Sequence, residues 1–259
     1  MQPMKASVVQ NLLKVFFYEI QEFFSLAGRA GWRMFRKPFY HREFVIQLDK
    51  IGVDSLFIIF LTGVFTGMVM ALQALIQLKP FAATSHVGGM VAVTMVKELG
   101  PVLSALMISG RVGSAITAEL GTMVVTEQVD AMRVEGTDIV KRLVNPRVMA
   151  TVVAMPLLAI ITDTMALGGG YVIASGYGIN PVMYWNSLPH FMVFQDLIEG
   201  IVKPAVFGLI ISLIGCYVGL NTSGGAEGVG AAAKRTVVLA SSLVLVSDFF
   251  LTKIFIVFR

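Results

Sequence analysis

The sequence has few of the residues that an enzyme active site or a metal centre needs. It contains one cysteine, Cys216, so it can form neither an intrachain disulfide nor a cluster of thiolate ligands. Its three histidines lie far apart, and it has neither a G-x-x-x-x-G-K-[ST] phosphate loop nor an H-E-x-x-H zinc motif. We therefore expect that the chain is not an enzyme and itself binds no metal or cofactor.

Charged residues are also scarce. They make up 14% of the 259 residues, whereas 56% are hydrophobic, which is too apolar for an ordinary soluble domain. No charge interrupts residues 55–78 or 204–226, and a spanning helix needs roughly 20 such residues. The net charge of +4 comes from residues that flank apolar segments, a pattern that argues against a nucleic-acid partner.

These apolar segments predict an all-α integral membrane protein. Residues 52–259 form its transmembrane domain, and residues 1–51 form a basic N-terminal arm. Within the arm, residues 8–27 have the pattern of an amphipathic helix, which either lies in the membrane interface or packs on the spanning helices. The five spans are predicted near 52–78, 88–123, 146–175, 196–220 and 236–258.

The distribution of lysine and arginine predicts the orientation. Fourteen of them lie in the arm and in the connections 124–147 and 221–235, whereas the opposite side has only Lys79 and Arg259. Because positive charge collects on the cytoplasmic side, we expect a cytoplasmic N-terminus and a C-terminus on the other side.

The second predicted span contains charged residues. On a regular helix Lys97, Ser104, Arg111 and Glu119 fall within about 80° of one another, and Glu98 is adjacent to Lys97. Charges inside a membrane usually face a bundle interior or a wet cavity. They either line a transport path or are structural and neutralise one another.

The third span contains one acid, and the same two interpretations apply to it. Asp163 either serves transport or is neutralised by Lys203 or Lys253.

The first span combines small and polar residues. Gly63, Gly67 and Ala71 recur at intervals of four and allow another backbone to approach closely. Gln73 and Gln77 lie one turn apart in apolar surroundings, where they could bond a lipid headgroup or another helix.

A short helix is predicted near 126–136, between the second and third spans. Thr126 is a candidate N-cap, and Gly136 can end the helix. Val129 and Met132 share one side of it and suit docking into a groove on a cytoplasmic partner. A solvated connecting helix is the alternative.

Four segments carry a family resemblance. Residues 97–123 (KELGPVLSALMISGRVGSAITAELGTM), 126–132 (TEQVDAM), 145–150 (NPRVMA) and 224–232 (GGAEGVGAA) resemble the MlaE-type permeases of the maintenance-of-lipid-asymmetry system. The resemblance extends over nearly the whole chain from residue 45.

The resemblance implies a homodimeric permease subunit of an ABC transporter in the bacterial inner membrane, which moves phospholipid. It implies as partners a cytoplasmic ATPase that holds ATP and Mg, a STAS-domain regulatory protein and a hexameric periplasmic MCE-domain lipid carrier.

The resemblance also implies site residues. A lipid pocket between subunits would be lined by Met70, Gln73, Ala74, Gln77, Leu78, Lys97 and Glu98, and the coupling helix would contact the ATPase through Glu127, Gln128, Asp130, Ala131 and Met132. Two other functions remain open. One is an ATP-independent channel or ion-coupled carrier that uses Arg111, Glu119 and Asp163, and the other is a scaffold that anchors the ATPase without transport.

Overall fold

The computed structural model describes the backbone of residues 3–34 and 40–257 and the side chains of residues 17–33 and 40–257. Arg36, Lys37, Arg259 and the side chains of the first half of the predicted amphipathic helix lie outside these ranges. The α-helices of the described ranges are α1 (Pro3–Met34), α2 (His41–Gly52), α3 (Leu56–Leu78), α4 (Val87–Thr94), α5 (Gly100–Ile108), α6 (Ser114–Val125), α7 (Gln128–Val134), α8 (Asn145–Gly176), α9 (Pro181–Phe191), α10 (Phe194–Leu220) and α11 (Gly225–Val257).

Within the described ranges, five helical segments are long and apolar enough to cross a membrane, as predicted. Short 3₁₀ or π-helical turns join α2 to α3 and α4 to α6, so that each of these groups forms one continuous segment. The segments are His41–Phe81, Thr84–Val125, Val140–Gly176, Phe194–Leu220 and Gly225–Val257. No strand occurs within the described ranges, which confirms the all-α fold class.

The second segment contains two π-helical turns, Met95–Leu99 and Ser109–Gly113. Gly100 and Pro101 directly follow the first turn, and Pro101 has no N–H with which to continue regular helical bonding. The prediction of one polar face holds for Arg111 and Glu119, which line the same cavity, but not for Lys97. Lys97 instead contacts α10, whereas Arg111 contacts Asp54, just before α3.

Helices α3 and α8 pack with their backbones in close contact. A Cβ at Gly63 would lie 2.6 Å from the Thr162 carbonyl oxygen, and a Cβ at Gly67 would overlap the backbone of Ala166. Gly169 of α8 likewise leaves no room for a side chain beside the Val64 carbonyl. The prediction that small residues of the first span admit another backbone is confirmed, and that backbone is α8.

Helix α10 lies at the centre of the bundle, where Phe207 and Ile211 are fully buried. It packs against α8, α6 and α11. In contrast, most apolar side chains of α11 are exposed, as expected of a helix that faces lipid.

Helix α1 packs on the transmembrane helices. Leu26 and Ala30 are buried, and the ring of Phe23 lies 5.7 Å from that of Tyr217 in an edge-to-face arrangement. The opposite side exposes Phe24 and Trp32, so the described part of α1 is amphipathic. The described part of α1 therefore packs on the bundle, and its position in the membrane interface stays a prediction.

Candidate functional site

A buried ion-pair cluster holds the first π turn of the second segment. Lys203 of α10 is fully buried, and its ammonium group lies 2.9 Å from Glu98 Oε2 and 3.5 Å from Asp248 Oδ1. Lys203 also donates hydrogen bonds to the Lys97 carbonyl at 2.9 Å and to Thr252 Oγ1 at 2.8 Å. We call these five residues the Lys203 cluster; it joins the π turn to α10 and α11.

Lys97 has a separate acidic partner. Its Nζ lies 3.1 Å from Asp196 Oδ1, and the Asp196 side chain is 1% exposed. The other carboxylate oxygen of Asp196 accepts the Val193 backbone N–H at 3.0 Å, which caps the N-terminus of α10. Both charged residues predicted for the lipid pocket therefore pair with neighbouring helices of the same subunit.

Sequence reasoning missed Asp196, Asp248 and Thr252. Asp248 and Thr252 are four residues apart on one face of a largely apolar span, a signal that was available in the sequence. Asp196 gave no such signal, because it lies close to the end of a span.

Asp163 pairs with neither Lys203 nor Lys253, the two partners predicted for it. Among the described residues it forms no ion pair, and its buried Oδ1 has no hydrogen-bond partner. The carboxyl group packs directly on Gly100, where a Cβ would overlap Oδ1. Asp163 therefore contacts the segment that leaves the first π turn.

The predicted pocket residues of α3 divide into two groups. Gln73 and Gln77 are exposed, and Met70 and Leu78 are half-buried. Ala74 is 3% exposed and packs inside the subunit, so it cannot itself line a surface between subunits.

One apolar cluster connects the two parts of the predicted pocket. It includes Ala74 and the fully buried Met95, and Met70, Leu78 and Leu99 pack against it. Since Met95 and Leu99 begin and end the π turn that carries Lys97 and Glu98, this turn and α3 share one packing surface.

Arg111 and Glu119 belong to a second charged cluster. Arg111 lies 3.3 Å from Asp54 and donates to the Ser55 hydroxyl. Glu119 lies 3.0 Å from Arg147, which is nearly buried, and 3.6 Å from Lys50. Each of these charges has an opposite partner, as the structural interpretation requires.

Helix α7 adjoins this second cluster. A cavity of about 490 Å³ separates α2, α6 and α8 from α7, and Glu119, Arg147, Ala131 and Met132 line it. Side chains of α7 and of the charged cluster thus face the same space.

The ends of α7 differ in how well the sequence predicted them. Thr126 is not the N-cap as predicted, because its hydroxyl donates to the Thr122 carbonyl and Glu127 takes the cap position with a φ of 61°. Gly136 ends the helix as predicted, with a φ of 75°. The Thr137 N–H bonds to the Met132 carbonyl at 2.9 Å, as in a Schellman motif.

The apolar side of α7 faces its own subunit. Val129 is 2% exposed and Met132 packs against the main core, so the prediction that this side docks into a partner was wrong. Val134, which sequence reasoning missed, is 90% exposed. The surface available to a partner consists of Glu127, Gln128, Asp130, Ala131, Arg133 and Val134.

Together the five spanning segments, the two paired charge clusters and the exposed helix between the second and third segments define a multi-pass α-helical membrane protein. The profile of the family "Permease MlaE" matches residues 44–254. The chain therefore belongs to the MlaE permease family.

Curated relatives agree with this assignment. A "Probable ABC transporter permease protein" of Rickettsia felis is 42% identical over 233 residues, which cover 90% of this chain and 89% of the relative. A protein of Synechocystis with the same description is 38% identical, covering 94% and 93%. The "Intermembrane phospholipid transport system permease protein MlaE" of Haemophilus influenzae is 35% identical, covering 95% and 98%.

Proposed function

We propose that the chain is the permease subunit of an ABC transporter that moves phospholipid between the bacterial inner membrane and a periplasmic MCE-domain carrier. The observation that carries this proposal is the match to the MlaE family over residues 44–254, together with the name of the Haemophilus relative. Five spanning segments agree with it.

The proposed assembly is a homodimer with a cytoplasmic ATPase, a STAS-domain regulatory protein and a hexameric MCE-domain protein. ATP and Mg bind to the ATPase, where hydrolysis takes place. The N-terminus is cytoplasmic, because the arm and the two connections on its side carry most of the lysine and arginine.

The proposed lipid pocket lies between two copies of α3 and the adjoining π turn. Gln73 and Gln77 are exposed on one subunit, and a second copy would enclose them. Their amide groups would bond the headgroup, while Met70 and Leu78 would contact the acyl chains. Lys97 and Glu98 would set the shape and charge of the pocket through their pairs with α10 and α11.

The proposed coupling runs from α7 into the bundle. ATP binding closes the ATPase pair and shifts α7, whose Val129 and Met132 pack against the core. Transport requires that the ATP-bound state bind lipid less tightly than the ATP-free state. A change between two conformations can release lipid only if they differ in their affinity for it.

Reversing one charge on α7 tests the coupling. Asp130→Lys places a positive charge on the exposed surface of α7, and we expect ATP-dependent lipid transfer by the reconstituted assembly to fall at least about tenfold, as loss of an interfacial ionic contact does. The measurement is transfer of labelled phospholipid from proteoliposomes to the MCE-domain protein, with and without ATP.

The control is Asp49→Lys, an identical charge change at an exposed residue of α2. It is expected to retain transfer. Lipid transfer that neither requires ATP nor decreases in Asp130→Lys would overturn the permease proposal in favour of an ion-coupled carrier. A dependence of transfer on the proton gradient would identify that carrier. An assembly that binds the ATPase but holds no lipid would identify a scaffold.

Removing the exposed amides of α3 tests the pocket. In the double variant Gln73→Leu, Gln77→Leu, we expect ATP-dependent transfer to fall about tenfold, because two headgroup hydrogen bonds are lost. Stability should not fall, since both side chains are exposed. The control Thr164→Val removes another exposed polar group from a span, and its transfer should equal that of the parent. Equal transfer by the double variant and this control would contradict the pocket assignment.

A further inference from the structure

We infer that a cavity between α1 and the connection from α7 to α8 is a binding site for a phosphate group, supplied in the membrane by an anionic phospholipid headgroup. The cavity measures about 380 Å³, within the range of roughly 300–1,000 Å³ that is typical of small-molecule sites. The side chains that shape it are Leu26, Arg29, Arg33, Arg133, Val140 and Tyr217.

The cavity lies at the membrane boundary and away from the proposed transport pocket. α10 ends at Leu220, which lines one wall, and Val140, on the opposite wall, begins the third spanning segment. α1 provides the remaining wall, and α3 contributes no lining residue. A ligand here would therefore occupy a second site, separate from the lipid in transit.

Two arginines at this cavity have unused donors. The exposed Arg29 donates only its Nε, to the Ser25 carbonyl at 3.2 Å, so neither terminal amino group has a partner among the described residues. Arg133 uses one terminal nitrogen, on the exposed Asp130 at 2.8 Å. The planar guanidinium group matches phosphate oxygens in bidentate geometry.

One of the two acids at the cavity, Asp138, is already engaged. Asp138 accepts hydrogen bonds from Arg33 at 2.7 Å and from the Val140 N–H at 3.1 Å. Glu22, the other acid, also lines the cavity. Three arginines and these two acids line the cavity, so its lining carries a net charge of +1, which favours an anion; Arg133 also pairs with Asp130, which lies outside the lining.

The apolar part of the cavity favours a lipid over a soluble phosphate. Leu26, Val140 and Tyr217 line the cavity beside the arginines, although Leu26 and Val140 are each only 7% exposed. A free phosphate would contact the arginines alone, whereas the carbons of a phospholipid would also contact the half-buried ring of Tyr217.

Binding here would connect two helices. Arg29 belongs to α1 and Arg133 to α7, so a phosphate held by both would fix α1 to α7. That this link influences ATPase coupling rests on the proposed function, but the binding itself does not.

The test is native mass spectrometry of the purified full chain in an uncharged detergent, titrated with phosphatidylglycerol, phosphatidylcholine or inorganic phosphate. We expect the first phosphatidylglycerol to bind at least about tenfold more tightly than phosphatidylcholine. The double variant Arg29→Gln, Arg133→Gln should lose at least about tenfold in that affinity, because two charge-assisted hydrogen bonds are removed.

The charge-matched control is Arg42→Gln, Lys234→Gln, which removes two exposed cations elsewhere, and it should change the affinity less than about twofold. If the double glutamine variant unfolds at a lower temperature than the parent, the double variant Arg29→Lys, Arg133→Lys replaces it. That variant keeps both positive charges but lacks the bidentate guanidinium groups, so its affinity for phosphatidylglycerol should lie between those of the parent and the double glutamine variant. If equimolar inorganic phosphate displaces phosphatidylglycerol, the cavity binds phosphate as proposed, but its ligand is a soluble anion and not a lipid. Equal affinities for the two lipids, or an equal loss in the control, would overturn the site.

Discussion

Replacing Lys203 with methionine is expected to lower the free energy of unfolding by about 3–5 kcal/mol, the cost of removing one partner of a buried ion pair. Methionine fills a similar volume, but it leaves Glu98 and Asp248 without their cation and Thr252 without its donor. The quantity to measure is unfolding of the purified chain by denaturant in mixed micelles. Lipid transfer should fall as well, because the π turn that carries Lys97 and Glu98 is no longer held by α10.

The matched control is Lys253→Met, the same chemical change at an exposed residue adjacent to Thr252. Its unfolding free energy should stay within about 0.5 kcal/mol of the parent, as for surface substitutions generally. A Lys203→Met variant as stable as this control would show that the Lys203 cluster does not hold the helices together.

The second large effect is expected at the contact of α3 with α8. Gly67→Ala should destabilise the chain by about 1–3 kcal/mol, since the added methyl group overlaps the backbone of Ala166 and the two helices must separate. Because α3 carries Gln73 and Gln77, lipid transfer should decrease too. Thermal unfolding in detergent and the transfer assay measure the two effects.

Gly168→Ala provides the comparison for this substitution. A Cβ at Gly168 meets nothing within 4 Å, although its neighbour Gly169 packs tightly on α3. This variant should be as stable as the parent or slightly more stable, because alanine favours the helix over glycine. If both alanine variants behaved alike, the close approach of α3 and α8 would not be a source of stability.

The sequence predicted the contacts between helices less completely than the membrane-spanning segments. Gly63 and Gly67 indicated a close helix contact, but only the fold identifies α8 as the partner. The polar face predicted from Lys97 to Glu119 assumed a regular helix, but two π turns interrupt this segment. Arg111 and Glu119 still line one cavity, whereas Lys97 pairs with Asp196 of α10. The angular relation fails because each π turn inserts an additional residue into a helical turn.

α7 shows the same limit at a smaller scale. Its position and its glycine end followed from the local residues, since Gly136 readily adopts the positive φ that closes a helix. The local residues did not show which side of α7 faces a partner, because an apolar side can pack equally well on its own subunit or on another protein. Val129 and Met132 dock inward, which leaves Val134 exposed.

The sequence by itself determined that the chain has five segments able to cross a membrane and that it belongs among MlaE-type permeases. Both properties depend on local features, namely the length of uncharged apolar segments and the identity of residues in short motifs. The tertiary structure alone decided that Lys203 pairs with Glu98 and Asp248 and not with Asp163. The physical reason is that an ion pair between helices depends on their packing, rotation and depth, which distant small residues and the π turns set together.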